Sequence, residues 1–321
     1  MARFTRRLQE IAGSLLVSVP REWARQLGLD KGSEVDVRID SGVLRVGPKG
    51  SIINKGEEAT VSGPHAESKL LAAYLSGASV IRVRKASKPS VLRFVRERLL
   101  GVELANDGKA LVFSVTPPSL GIDEAFRRMF FLTLGMFDDL LSPEDEVSAH
   151  ENAQAIAAKD IEVTRVYHHL IREVRRFLAS GGFAVQEPGL LRAVDYRMAA
   201  EKIERIGDAL KDTAAEPRGC VAEKTVKELR DAYESAVHAF LKNSLADAIA
   251  ARQKAVLVRK KIALLQDAGR ATMEKRRAGA PAVPRVASAR VYASGIACAG
   301  TQHALHDIAG HCAEIANLCS G

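Results

Sequence analysis

The chain has 321 residues, 47% apolar and 27% charged, which allows two or three domains with buried cores and argues against global disorder. Its net charge of +8 is patchy: residues 82–98 hold seven bases and one acid, and residues 252–290 hold eleven and two. That surplus suits nucleic acid or an anionic surface, while the lack of any long apolar run or secretory leader leads us to expect a soluble cytoplasmic protein.

In chain order, Leu15-Leu16-Val17-Ser18-Val19 is β-prone and stops at Pro20, whose missing N–H suits the first position of a helix. A helix of about two turns is expected over 21–27, ended by Gly28. Val35, Val37 and Ile39 alternate with Asp36 and Arg38 as in a half-buried strand. After a turn at Ser41-Gly42, Val43-Leu44-Arg45-Val46 returns as a hairpin.

Residues 51–118 read as a small α+β module. It runs through a weak strand at 59–62, a helix at 65–76, a strand at 80–84 and a basic amphipathic helix at 89–100 closed by Gly101. A hairpin of 102–104 with 110–115 follows, turning at Asn106-Asp107-Gly108. On charge alone the basic helix suits DNA or a membrane surface.

Pro117-Pro118 marks a boundary, beyond which the pattern is helical. Helices are expected near 122–141, 144–179, 188–214, 221–245, 247–277 and 285–319, with breaks at Gly181-Gly182, Glu216-Pro217 and 278–284. The octet Ala153-Gln154-Ala155-Ile156-Ala157-Ala158-Lys159-Asp160 reappears as Ala246-Asp247-Ala248-Ile249-Ala250-Ala251-Arg252-Gln253. Ile206-Gly207-Asp208 has a counterpart in Ile308-Ala309-Gly310. A duplicated three-helix unit accounts for both matches. The expected fold is therefore mainly α and multidomain: a hairpin β module at 1–50, the α+β module at 51–118, and three-helix bundles at 119–216 and 217–321.

The order Gly13, strand, Pro20, Arg21-Glu22-Trp23, Leu27-Gly28-Leu29 and Gly32-Ser33-Glu34-Val35 resembles the AbrB/MazE/SpoVT-type swapped-hairpin domain. That resemblance implies a homodimer with interleaved hairpins that grips DNA. A module this short also needs a partner chain to cover its strand edges and apolar faces. Arg6, Arg7, Arg21 and Arg25 are the candidate DNA contacts, with Arg21 and Arg25 one turn apart on the short helix. Solvated arginines on a dimerisation domain are the plainer alternative. Trp23, the only tryptophan, reads as packing rather than base stacking.

Further on, Lys202-Ile203-Glu204-Arg205-Ile206-Gly207-Asp208 resembles the E-R-I-G-D signature of PhoU proteins, and the whole chain is similar to archaeal-type PhoU regulators that carry an AbrB-like domain. Glu204 and Asp208 are four residues apart, so both carboxylates share a helix face. In PhoU proteins such pairs on neighbouring helices bind metal. Here Asp160 is matched with Thr164, and the second repeat offers Gln253 with Leu257 and His306 with Gly310. The expectation is thus at most a single divalent-metal or iron site in the first bundle, from Glu204, Asp208 and Asp160. The alternative is that the pair meets Lys202, Arg205 or Arg165 on a solvated face.

His168, His169, His303, His306 and His311 lack a third metal ligand and read as surface or interfacial. Cys220, Cys298, Cys312 and Cys319 form no C-x-x-C pair and fit free thiols. No P-loop, dinucleotide fingerprint or nucleophile elbow occurs, so no enzyme is expected. The resemblances imply a DNA-binding regulator of phosphate uptake. The other reading is an adaptor that damps a phosphate transporter or its sensor kinase through the helical surface.

Overall fold

The computed structural model describes residues 6–40, 43–49, 58–142, 146–179, 189–216, 222–279 and 285–319, with side chains left out over 268–299. The Ser41-Gly42 turn, the Gly181-Gly182 break, residues 280–284 and Cys220 lie outside these residues, as does the side chain of Cys298. The chain divides into two compact units, residues 1–55 with 183–187 and residues 56–182 with 188–321.

The first unit opens with a hairpin of β1 (Gln9–Ile11) and β2 (Ser14–Leu16). Ala12 and Gly13 form its turn, both left-handed at φ 50° and 79°, as a tight two-residue hairpin requires. The strand expected over 15–19 therefore ends early, and its pairing partner β1 is an element the sequence pattern did not suggest. Pro20 stands just before α1 (Arg21–Gln26) rather than in its first turn, at φ −58° and ψ 134°. Gly28, at φ 66°, ends the helix, and the Leu29 N–H returns to the Ala24 carbonyl. β3 (Val35–Asp40) and β4 (Val43–Pro48) pair antiparallel, Val35 opposite Pro48.

The second unit begins with a mixed sheet of order β5-β6-β8-β7. β5 (Glu58–Ser62) and β6 (Val80–Arg84) are parallel, joined through α2 (Ala66–Leu75). After α3 (Lys88–Arg98), β7 (Val102–Asp107) and β8 (Leu111–Val115) form a hairpin whose second strand joins β6. Leu111, Phe113 and Val115 point inward from β8 onto a core with Leu70, Tyr74, Ile81 and Val91.

Six helices follow: α4 (Ile122–Leu141), α5 (Glu146–Ala179), α6 (Leu190–Ala215), α7 (Glu223–Lys242), α8 (Leu245–Gly279) and α9 (Arg285–Ala316). Most bounds follow the Gly and Pro punctuation of the sequence, but α7 stops at Lys242 rather than 245, closed by Asn243 in the left-handed region at φ 49°. α4, α5 and α6 pack together, as do α7, α8 and α9, and the two bundles meet through α4 on α7 and α6 on α9. Phe126 of α4 anchors that junction, 5.0 Å from the Phe240 ring and 5.1 Å from the Tyr196 ring, tilted or edge-on as aromatic quadrupoles prefer. Cys312 and Cys319 are buried free thiols. No helix among the described residues is long and apolar enough to cross a membrane.

α5 also grips the sheet module. Arg172, itself buried, donates to the carbonyls of Tyr74, Gly77 (3.1 Å) and Ala78 (3.2 Å) at the end of α2. One turn back, His168 Nδ1 lies 2.8 Å from the Arg98 carbonyl and Arg165 donates to that of Leu99, at the end of α3. Cations placed at helix C-termini satisfy carbonyls that have no partner within the helix.

Candidate functional site

The E-R-I-G-D segment lies in the middle of α6. Ile203, Ile206 and Leu210 are fully buried, so the helix periodicity sets Glu204 and Asp208 along one flank. Asp160, on the facing helix α5, is buried and close to Gly207. A Cβ on Gly207 would stand 3.5 Å from Asp160 Oδ1 and 3.8 Å from Val163 Cγ1, ordinary contacts that place this position of α6 against α5 beside the carboxylate. Asp160 Oδ1 is buried with no hydrogen-bond partner.

The third member of the flank is a base. Lys211 Nζ donates to Asp160 Oδ2 at 2.8 Å and to Asp208 Oδ1 at 2.6 Å. Burial, then the neighbouring Asp208 and Asp160 charges, push the Glu204 carboxyl up to about 7. Burial also raises Asp160 against the pull of Lys211. The Lys211 ammonium is held above its usual range, since its two aspartates outweigh burial. Arg98 of α3 adds a favourable field, weaker than that of Lys211 at Asp160 but ahead of it at Glu204.

Three of the five charged residues in this group came from the signature and its repeat partner. The bases did not. Arg205 pairs with Glu201, Lys202 with Glu314 and Arg165 with Glu162, so none of the expected cations meets the Glu204–Asp208 pair in an ion pair. The signal for Lys211 was present: it follows Asp208 by three residues, a spacing that puts the two on one face. Arg98 left no such trace, because only the fold brings α3 to α5.

At the corresponding place in the second bundle, Arg259 of α8 lies over Gly310, its Cζ 3.6 Å from where a Cβ would be. Its Nε donates to His306 Nε2 at 3.1 Å. His168 and His169 contact the carbonyls of Arg98 and Leu120. His303 and His311 stand beside Asp307 and Glu314. Among the described residues, no three His, Cys, Asp or Glu side chains converge closely enough to hold a metal ion.

The four arginines proposed from the first unit are all solvent-exposed. Arg21 and Arg25 project from α1 one turn apart, and Arg6 and Arg7 precede β1.

The architecture is that of a PhoU-like helical body in a chain that also carries an N-terminal MazE-like segment. Residues 126–216 match the family model of the PhoU domain. Residues 11–54 match that of MazE, described as antidote-toxin recognition, bacterial antitoxin. The PhoU match ends at the close of the first bundle. Among solved structures, the chain is similar to PhoU from Pseudomonas aeruginosa, at 18% identity and a TM-score of 0.50, over 62% of this chain and 93% of that one. At that identity the likeness is one of fold. No curated protein sequence matches the chain.

The PhoU likeness implies a metal at Glu204, Asp208 and Asp160. As arranged, these residues do not fit one: the Lys211 ammonium stands where an ion would bridge the two aspartates.

Proposed function

We propose that this chain is a DNA-binding regulator of phosphate uptake, not an enzyme. It would act as a homodimer through its N-terminal unit, with Arg6, Arg7, Arg21 and Arg25 meeting DNA. On this reading the chain works in four segments, 1–50, 51–118, 119–216 and 217–321. The PhoU-like bundles would receive the phosphate signal, from a transporter or signalling partner.

One observation carries the reading: a MazE-like unit with its apolar side chains uncovered is joined to a PhoU-like body. Leu8, Leu15 and Val37 are 64%, 68% and 58% exposed, and of the described residues in this unit only Gly47 is buried. A soluble unit that leaves such residues in water lacks a partner surface. A second copy supplies it, and brings a second set of the same arginines to one duplex.

The test is a gel-shift titration of the full chain against promoter DNA of phosphate-uptake genes, at several salt concentrations. Counterion release predicts an affinity that falls steeply with salt. Replacing Arg21 and Arg25 together by alanine should weaken binding at least tenfold and flatten the salt slope. Unchanged binding by that variant would remove the arginines from the interface. Absence of binding by the wild type would favour the adaptor reading.

A further inference from the structure

The PhoU-like body has two places that the repeat relates, Glu204 and Asp208 with Asp160 in the first bundle and His306 and Gly310 in the second; α8 does not keep the octet's register, since Ile249, Gln253 and Leu257 are exposed where Ile156, Asp160 and Thr164 are buried. Both places hold a base from the protein itself. In the first, Lys211 Nζ is 2.8 Å from Asp160 Oδ2 and 2.6 Å from Asp208 Oδ1. In the second, the Arg259 guanidinium lies against Gly310 and uses the Nε2 of His306 as an acceptor.

We propose that side-chain cations, Lys211 in the first bundle and Arg259 in the second, hold the positions where a PhoU-like body would otherwise carry metal. The proposal rests on the PhoU-like reading of the helices and is independent of whether the N-terminal unit binds DNA.

Distance makes the exclusion physical. A divalent ion bound to carboxylate oxygens sits about 2.0–2.6 Å from them. An ammonium nitrogen hydrogen-bonded to two such oxygens occupies nearly the same point, so ion and lysine cannot share it. The lysine also supplies charge: Asp160 is buried, an uncompensated buried carboxylate is costly, and an internal cation lowers that cost without a free ion. Once the lysine is removed, the two aspartate oxygens it now holds, Asp160 Oδ2 and Asp208 Oδ1, are left to share an ion with water.

In the second bundle the replacement goes further. The side chain at 310 is absent, the arginine fills the space, and the His306 lone pair that could bind metal accepts a hydrogen bond instead. Removing Arg259 therefore creates no site, whereas removing Lys211 leaves two facing carboxylates without their cation.

Manganese(II) titration of the metal-free full chain, read by electron paramagnetic resonance and by thermal unfolding, tests this. The wild type should bind no manganese at the cluster and keep its unfolding temperature. Lys211→Met should take up one equivalent and be stabilised by it, and adding Asp208→Asn should weaken that binding at least tenfold. Arg259→Met should bind none. The proposal fails if the wild type binds manganese through Asp208, or if Lys211→Met binds no more than the wild type. It fails equally if Lys211→Met stays unfolded with and without manganese, since the lysine would then do more than neutralise charge. Lys211→Gln, which keeps a donor near Asp160, is the second variant and should also bind. A negative gel shift would leave all these outcomes readable.

Discussion

Glu204 is the residue whose ionisation has the clearest cost. It feels Asp208 on its own helix, Asp160 across on α5, and the opposing charges of Arg98 and Lys211. Burial and the two aspartates raise its folded-state value to about 7, from an ordinary 4.5. Between those values the folded chain binds more protons than the unfolded chain, so the group's contribution is full below about 4.5 and is lost as pH rises through 7. Thermal unfolding from pH 5 to 8 should show stability falling across that window. In Glu204→Gln the slope should flatten, leaving the variant more stable than the wild type at pH 8. Parallel pH profiles for the two proteins would contradict the assignment. The signature made Glu204 and Asp208 legible in sequence, and the repeat brought in Asp160. Lys211 lay one turn beyond the signature and went unread, although its spacing from Asp208 was visible. Arg98 could not be read at all, since its approach to α5 depends on how a separate module docks.

Among the elements, most helix bounds were legible because Gly and Pro punctuate them, while the α7–α8 break, made by a left-handed Asn243, was expected three residues too late. The short strand β1 was not: Gln9-Glu10-Ile11 is mostly polar and exposed at every position, with no alternation to betray it. The hairpin of β7 and β8 was read, but not which strand enters the sheet. In physical terms β8 takes the inner place because Leu111, Phe113 and Val115 all face the core, while β7 carries Glu103 and Asn106 and stays at the edge. Two glycines give opposite predictions. Gly101 has φ 69°, and a Cβ there would meet the Thr116 carbonyl oxygen at 2.5 Å and Pro117 Cα at 2.7 Å, all backbone that cannot move aside. Gly101→Ala should therefore cost at least about 2 kcal/mol, combining strain with overpacking. Gly207 has ordinary contacts at 3.5 Å and beyond and lies in a helix interior. Gly207→Ala should be tolerated, with up to about 1 kcal/mol of helix propensity gained. Chemical denaturation of both variants checks the pair, and a larger loss at 207 than at 101 would refute it.

At the scale of the whole molecule, the two units have contrasting interiors. The larger one buries apolar residues from Val61 to Cys319, those of the sheet module in a cluster of their own. The smaller one has two hairpins and a short helix with apolar side chains on view. That contrast predicts the oligomer. Sedimentation should give twice the chain mass of 34.7 kDa. A Leu15→Asp, Val37→Asp double variant should sediment as a monomer while its helical circular dichroism stays near that of the wild type. A variant that remains dimeric would move the association surface elsewhere. The order of motifs was enough to suggest pairing, because a segment so short cannot enclose a core. The mutual placement of strands from two chains is beyond what one chain's pattern encodes.

Helix α5 has a further consequence as a mechanical part. It carries Asp160 at the cluster and Arg172 in the end of α2, twelve residues farther along, a span of about 18 Å at 1.5 Å per residue. A hydrogen-bonded helix resists stretching, so the two ends cannot shift along it independently. Any rocking of α5 against α6 must swing the sheet module as the far arm of a lever. The length of arm between Asp160 and Arg172 then sets how far a small displacement at the carboxylates is magnified at the strands.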